Sequence, residues 1–166
     1  MGFTEILANE FKENTFDLFK RDLMLLTAEK DEKTNTMTIG WGGLGVMWGK
    51  NVAFVVVRPE RYTNELLKDT EKFSLSAFSD KNILSYCGSV SGRNEDKIKK
   101  LGLTVLHEEK TPYFEEARLN ILCKKLFSSP FKKEDFTAGD SIINKWYAES
   151  NYHILYIAEI EKILVK

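Results

Sequence analysis

Cysteine is nearly absent: the 166 residues hold only Cys87 and Cys123. Two cysteines cannot build a disulfide framework and are too few for a zinc site made mainly of thiolates. The two histidines, His107 and His153, add little to a metal site. Charge of one sign is also missing. Lys plus Arg is 24 against 25 Asp plus Glu, a net charge of −1. That balance argues against broad nucleic-acid binding, which runs on excess positive charge. Long apolar runs are lacking too, and stretches such as Val52 to Val57 are far too short to span a bilayer. The first residues, MGFTEILANEF, carry acidic side chains and no unbroken apolar stretch, so they do not read as a secretory leader. There is no repeat period, low-complexity tract or linker. A cytoplasmic protein with no membrane or nucleic-acid partner is expected.

What remains is ordinary globular material, 43% hydrophobic and 30% charged. Residues 1–166 read as a single domain, long enough to bury a core without staples. Phe16, Leu18 and Phe19 are expected to dock on the body. Asp22 to Glu29 reads as a strand, followed by a polar turn over Asp31 to Asn35. Thr36 to Gly40 alternates as a second strand, and Val52 to Val57 reads as a buried third, stopped by Arg58-Pro59. Tyr62, Leu66 and Leu67 share a helical face, with Thr63 as candidate N-cap. Lys72 to Phe78 alternates as a strand. Short helices are expected over Asn82 to Tyr86 and Asn94 to Leu101. One long strand is expected from Tyr113 to Leu126, an irregular segment from Phe131 to Tyr147, and a closing strand from His153 to Val165. About six strands and three short helices, without regular helix alternation, predict a mainly β, α+β fold: an antiparallel barrel with helical insertions.

Three features could carry chemistry. Gly40 to Gly49 holds Trp41 and Trp48 among glycines. It has neither dinucleotide-fingerprint nor P-loop spacing. Its backbone could approach a flat ligand, or it could be a barrel corner with two core tryptophans. Arg58-Pro-Glu-Arg61-Tyr-Thr63 lies at a strand-to-helix junction, where free N–H groups and two arginines would suit a phosphate or simply face solvent. Ser91-Gly92-Arg93 with Lys97 repeats that arrangement. Cys87, just before the second loop, could contact a ligand or be a small buried hydrophobe. Phe127 to Phe136 suits a partner surface or a ligand lid. No serine elbow or other nucleophile constellation is present.

Taken in order, Asn35-Thr-Met-Thr-Ile-Gly-Trp-Gly42, Leu44-Gly-Val-Met-Trp-Gly-Lys50, Val57-Arg-Pro-Glu-Arg-Tyr-Thr63, Phe73-Ser-Leu-Ser76, Cys87-Gly-Ser-Val-Ser-Gly-Arg93 with Asp96-Lys97, and Tyr152-His153 resemble the flavin reductase-like family. The resemblance covers residues 35 to 160. It implies an antiparallel FMN-binding split β-barrel, of the flavoredoxin type among others, that works as a homodimer with FMN near the subunit interface. By the same resemblance Thr38, Ile39, Gly40 and Trp41 would line the flavin ring. Gly45, Val46, Met47 and Trp48 would form an adjoining wall. Arg58 and Thr63 would hold the phosphate, completed by Ser91, Arg93 and Lys97. Ser76 would face the ribityl chain, Cys87 and Gly88 would approach the ring, and His153 would face the nicotinamide side as the catalytic residue. No metal is implied. The implied function is an oxidoreductase passing electrons from NADH or NADPH through flavin to an acceptor. Alternatives are an electron carrier that uses NAD(P)H poorly, and a split barrel with another ligand such as heme. Two positions depart from the family pattern: Ala158 stands where a glycine is usual, and Asn151 where an acid often precedes the Tyr-His pair.

Overall fold

The computed structural model describes residues 2–166. After a short strand β1 (Thr4–Ile6) and a single helical turn α1 (Thr15–Asp17), capped by the Asn14 side chain, the chain enters its sheet. Strands β2 (Met24–Lys30) and β3 (Lys33–Ile39) form a hairpin. Its turn is only Asp31-Glu32, both in the left-handed region, so Lys33 to Asn35 are strand rather than turn. A two-residue primed turn matches the twist of the flanking strands. Strand β4 (Gly42–Met47) follows after Gly40-Trp41, and β5 (Lys50–Val57) after a tight turn at Trp48-Gly49. The glycine-rich stretch is therefore mostly a strand. A Cβ at Gly42 would fall 2.4 Å from the Phe54 carbonyl oxygen, so close strand packing demands that glycine.

Helix α2 (Tyr62–Asp69) begins after Pro59 ends β5, with Arg61 rather than Thr63 at the cap. It buries Leu66 and Leu67, and Lys125 Nζ donates to the Leu67 and Lys68 carbonyls at its C-terminal end. A cation there also complements the helix dipole. Strand β6 (Lys72–Ala77), helix α3 (Lys81–Ser89, capped by Asp80) and helix α4 (Lys97–Lys100, capped by Asp96) follow. Helix α3 runs on through Cys87 and Gly88, past the Asn82 to Tyr86 helix expected from the sequence, and α4 is shorter than the expected Asn94 to Leu101. The long strand expected from Tyr113 is interrupted. Strands β7 (Val105–Glu108) and β8 (Thr111–Phe114) make a separate hairpin, and β9 (Leu119–Pro130) starts after a turn. The segment read as irregular contains helix α5 (Asp140–Trp146), and β10 (Ile154–Val165) closes the chain.

The main sheet runs β3-β2-β6-β9-β10-β5-β4, with β1 added beside β10, and every pair is antiparallel. Strands β3 and β4 stand at opposite ends of this order, yet only Gly40 and Trp41 join them. Such a short link requires the sheet to curl until its edges approach without pairing. The result is an antiparallel split barrel. Its interior holds Met24, Leu26, Phe73, Leu75, Ile121, Cys123 and Tyr156, all essentially inaccessible. A second cluster of Leu25, Phe78, Leu84, Cys87 and Phe114 fastens α3 and the β8 hairpin outside the barrel. Leu18 and Phe19 dock as expected, but Phe16 does not: it is 85% exposed.

Candidate functional site

The opening between β3 and β5 is where the predicted site residues gather. One cavity of about 390 Å³ is lined by Arg58, Arg61, Thr63, Cys87, Ser91, Arg93 and Lys97, among others. A smaller cavity of about 200 Å³ is lined by Thr38, Ile39, Gly40, Trp41 and His153. Met37, Arg58 and Arg61 border both, so the two form one groove with a cationic end and an aromatic end.

The cationic end is assembled by three elements. Asn35 on β3 donates through Nδ2 to Thr63 Oγ1 on α2 at 2.8 Å. The loop after α3 packs on that bond: a Cβ at Gly92 would fall 2.1 Å from Asn35 Oδ1. No side chain larger than hydrogen fits, so this glycine sets how closely the Ser91 loop approaches α2. Lys97 is 3% exposed, and Nζ makes one bond, to the Cys87 carbonyl at 2.9 Å. Burial pushes its pKa down, and neighbouring Arg61 adds to the effect. An ammonium has three donors, so two remain to be met at a place that already disfavours its charge. An anion in the cavity would satisfy both needs. Burial raises the Cys87 thiol, which is therefore neutral rather than a second anion.

The two outer arginines are already engaged. Arg93 pairs with Glu65, donates to the Glu60 carbonyl at 3.1 Å and lies over the Tyr62 ring. Arg58 donates to the carbonyls of Trp146 (2.9 Å) and Asn151 (3.2 Å) and covers the face of Tyr147. Asn151 in turn donates to Glu60 Oε1 at 3.0 Å. The departure at Asn151 thus fastens the α5 segment to the junction after β5. Ala158 is fully buried, paired with Ala53 next to an irregularity in the β9–β10 ladder.

At the aromatic end, His153 is 8% exposed and its ring centroid lies 4.9 Å from that of Trp41. Trp146 packs edge-on against Trp41 from the other element, at 4.8 Å. The Tyr147 hydroxyl lies 2.7 Å from His153 Nδ1. Burial, with Arg58 second, lowers the imidazole pKa to about 4, so His153 is neutral at pH 7.

Some expected residues lie elsewhere. Ser76 is fully buried and donates to Asn120 Oδ1 at 2.6 Å. Asn120 also bonds both backbone groups of Phe114, so Ser76 belongs to a polar knot behind the turn before β9 and does not reach the groove. Gly88 lies against Thr38, whose hydroxyl donates to the Leu84 carbonyl, and lines neither cavity. Gly45 to Trp48 sit at the far end of β4, with Val46 74% and Trp48 58% exposed, and border neither cavity of the single chain. Conversely, Asn35 and Tyr147 belong to the site without carrying a chemical signal of their own, and Arg61, one of the two arginines of the strand-to-helix junction, lines both cavities. Asn35 and Arg61 stand inside the motifs quoted above. Tyr147 carries no sequence signal at all. Among the described residues no cluster of His, Cys, Asp or Glu is arranged to hold a metal, and no helix is long and apolar enough to cross a membrane.

Comparison with known proteins matches residues 16–166 to the family described as Flavin reductase like domain. A protein of Archaeoglobus fulgidus is 28% identical over 97 residues, 56% of this chain and 54% of its own, so the chain spans about half the length of this curated relative. The flavoredoxin structure from Methanosarcina acetivorans superposes with a TM-score of 0.68 at 23% identity, covering 87% of this chain and 68% of that one. An FMN-binding domain of a flavin reductases-like enzyme from Shewanella baltica gives 0.69 at 14% identity, covering 98% and 76%. At these identities the likeness is one of fold.

Proposed function

The chain belongs to the flavin reductase-like family, and from that premise we propose that it is an FMN-dependent oxidoreductase, drawing electrons from NADH or NADPH and passing them to an acceptor. The observation that carries the reading is the groove with buried, under-satisfied Lys97 at one end and Trp41 with neutral His153 at the other. FMN is an aromatic ring joined to a dianionic phosphate, and each end of the groove suits one part of it. Lys97, Arg61, Ser91 and the N-terminal amides of α2 would hold the phosphate, with Arg58 and Arg93 as charged walls and Thr63 as a brace. Thr38 to Trp41 would line the ring. The cofactor, when bound, supplies hydride and electron transfer, and the protein binds, orients and shields it. This explains why no side-chain nucleophile is needed.

In this reading the protein is a single cytoplasmic domain that works as a homodimer. Val46, Met47, Trp48 and Phe127 form exposed apolar surface around the β4–β5 hairpin. A second copy would cover it and bring the Gly45 to Trp48 wall to a ring site. The two buried free cysteines suit a reducing compartment.

One observation favours a second reading, an electron carrier that uses NAD(P)H poorly. The α5 segment rests on Trp41 and is fastened by Arg58, which restricts the aromatic end of the groove. Anaerobic mixing of the FMN-loaded protein with NADH and NADPH tests both. Bleaching of the flavin within seconds to minutes supports the reductase. Retained flavin that only a chemical reductant bleaches supports the carrier.

A further inference from the structure

Tyr147 is buried, and its hydroxyl has one hydrogen-bond partner, Nδ1 of His153 at 2.7 Å. Hydrogen count fixes the direction of this bond. If Nδ1 carried the proton and donated to the phenol, the phenol hydrogen would be buried with no acceptor, which is costly. The hydroxyl therefore donates, and a neutral imidazole that accepts at Nδ1 must carry its own proton on Nε2. Nε2 has no protein partner, yet among the described residues no buried side-chain nitrogen or oxygen lacks one. Nε2 is thus accessible, and the aromatic end of the groove is the cavity that His153 lines.

We propose that Tyr147 is a positioning residue that locks His153 into the Nε2–H tautomer, making it a neutral hydrogen-bond donor to an acceptor atom, such as a ring carbonyl, of the molecule held at the aromatic end of the groove. The identity of that molecule as flavin or its reaction partner rests on the function proposed above, whereas the tautomer does not. The charged and titratable groups around the pair oppose a switch to the cation. Arg58 covers Tyr147, Arg61 lines the same cavity, and both disfavour a positive imidazole; Glu60 favours it. Tyr152, its ring centroid 4.9 Å from that of Tyr147, packs beside the phenol. Tyr147 caps the C-terminal end of α5, so docking of that segment and the hydrogen-bonding state of His153 are one event.

The chain has two histidines, which makes the test direct. Long-range proton–nitrogen NMR of the imidazoles, with His107→Gln to assign signals, reads the tautomer in flavin-free protein. The expected pattern for His153 is a protonated Nε2 and an unprotonated Nδ1 from pH 7.5 to 5.5. Protonated Nδ1, or a charged ring at pH 7, overturns the proposal in the wild-type protein alone, so it is testable even if variants misfold. Tyr147→Phe should yield mixed tautomers, and an unchanged pattern in that variant also overturns it. Adding FMN separates the two claims. Failure of FMN to bind removes the function proposed above but leaves the tautomer result standing.

Discussion

His153 is neutral because solvation is withheld from it, with Arg58 as the second cause. The unfolded chain protonates this histidine near its ordinary pKa of about 6.5, while the folded chain resists until about 4. Between those values the unfolded state binds the extra proton. Stability is therefore fully present above pH 6.5 and is lost as pH falls, at up to about 1.4 kcal/mol per pH unit from this residue. Urea unfolding at pH 7.5 and 5 should show a larger loss in the wild type than in His153→Gln. Equal losses would mean that His153 is already charged in the folded protein. Lys97 gives a second prediction at this scale. Its charge is expensive in the free protein and useful only against an anion. Lys97→Met should keep or raise the melting temperature while lowering FMN affinity about 10-fold or more, the loss of one charge-assisted bond. Loss of both properties together would make Lys97 a structural residue.

Strands and helices decide how closely these side chains meet. Gly42 and Gly45 share β4 but face different surroundings. A Cβ at Gly42 meets the Phe54 carbonyl oxygen at 2.4 Å and Phe19 at 2.7 Å, whereas one at Gly45 meets nothing within 4 Å. Gly42→Ala should destabilise by about 1–3 kcal/mol, and Gly45→Ala should stay within about 0.5 kcal/mol, both readable in denaturant melts. Equal effects would contradict the strand packing. Element by element, β2, β5, β6 and β10 were legible because their apolar residues are core, β2 and β6 being buried on both faces. The glycine stretch was not, since glycine carries no pattern and its strand is held by backbone pairing with β5. Helix α5 and Tyr147 were hidden for another reason. Their aromatics pack on His153, Tyr152 and Phe136 through tertiary contacts with no periodic trace. The cations that line the groove stand in motifs visible in the sequence, but the place of Ser76 was not legible, because a buried serine looks the same in sequence whether it faces a ligand or Asn120.

For the molecule as a whole, the opening between β3 and β5 is what leaves a groove beside a packed barrel. The cationic end is built by α2, α3, the loop before α4 and the first residue of α4 against β3, and the aromatic end by the link that joins the two edges. The exposed hairpin surface around Trp48 predicts association. Sedimentation of the wild type should give a dimer, and Trp48→Glu should shift it to monomer with weaker FMN retention; a wild-type monomer that retains FMN would contradict the dimeric site. In the proposed function the groove takes a ring and a phosphate together. The decisive measurement compares the affinities of the flavin-free protein for FMN and for riboflavin, by quenching of flavin fluorescence. FMN should bind at least about 100-fold more tightly, the worth of roughly two charge-assisted bonds. Equal affinities, or no binding of either to folded protein, would contradict that function.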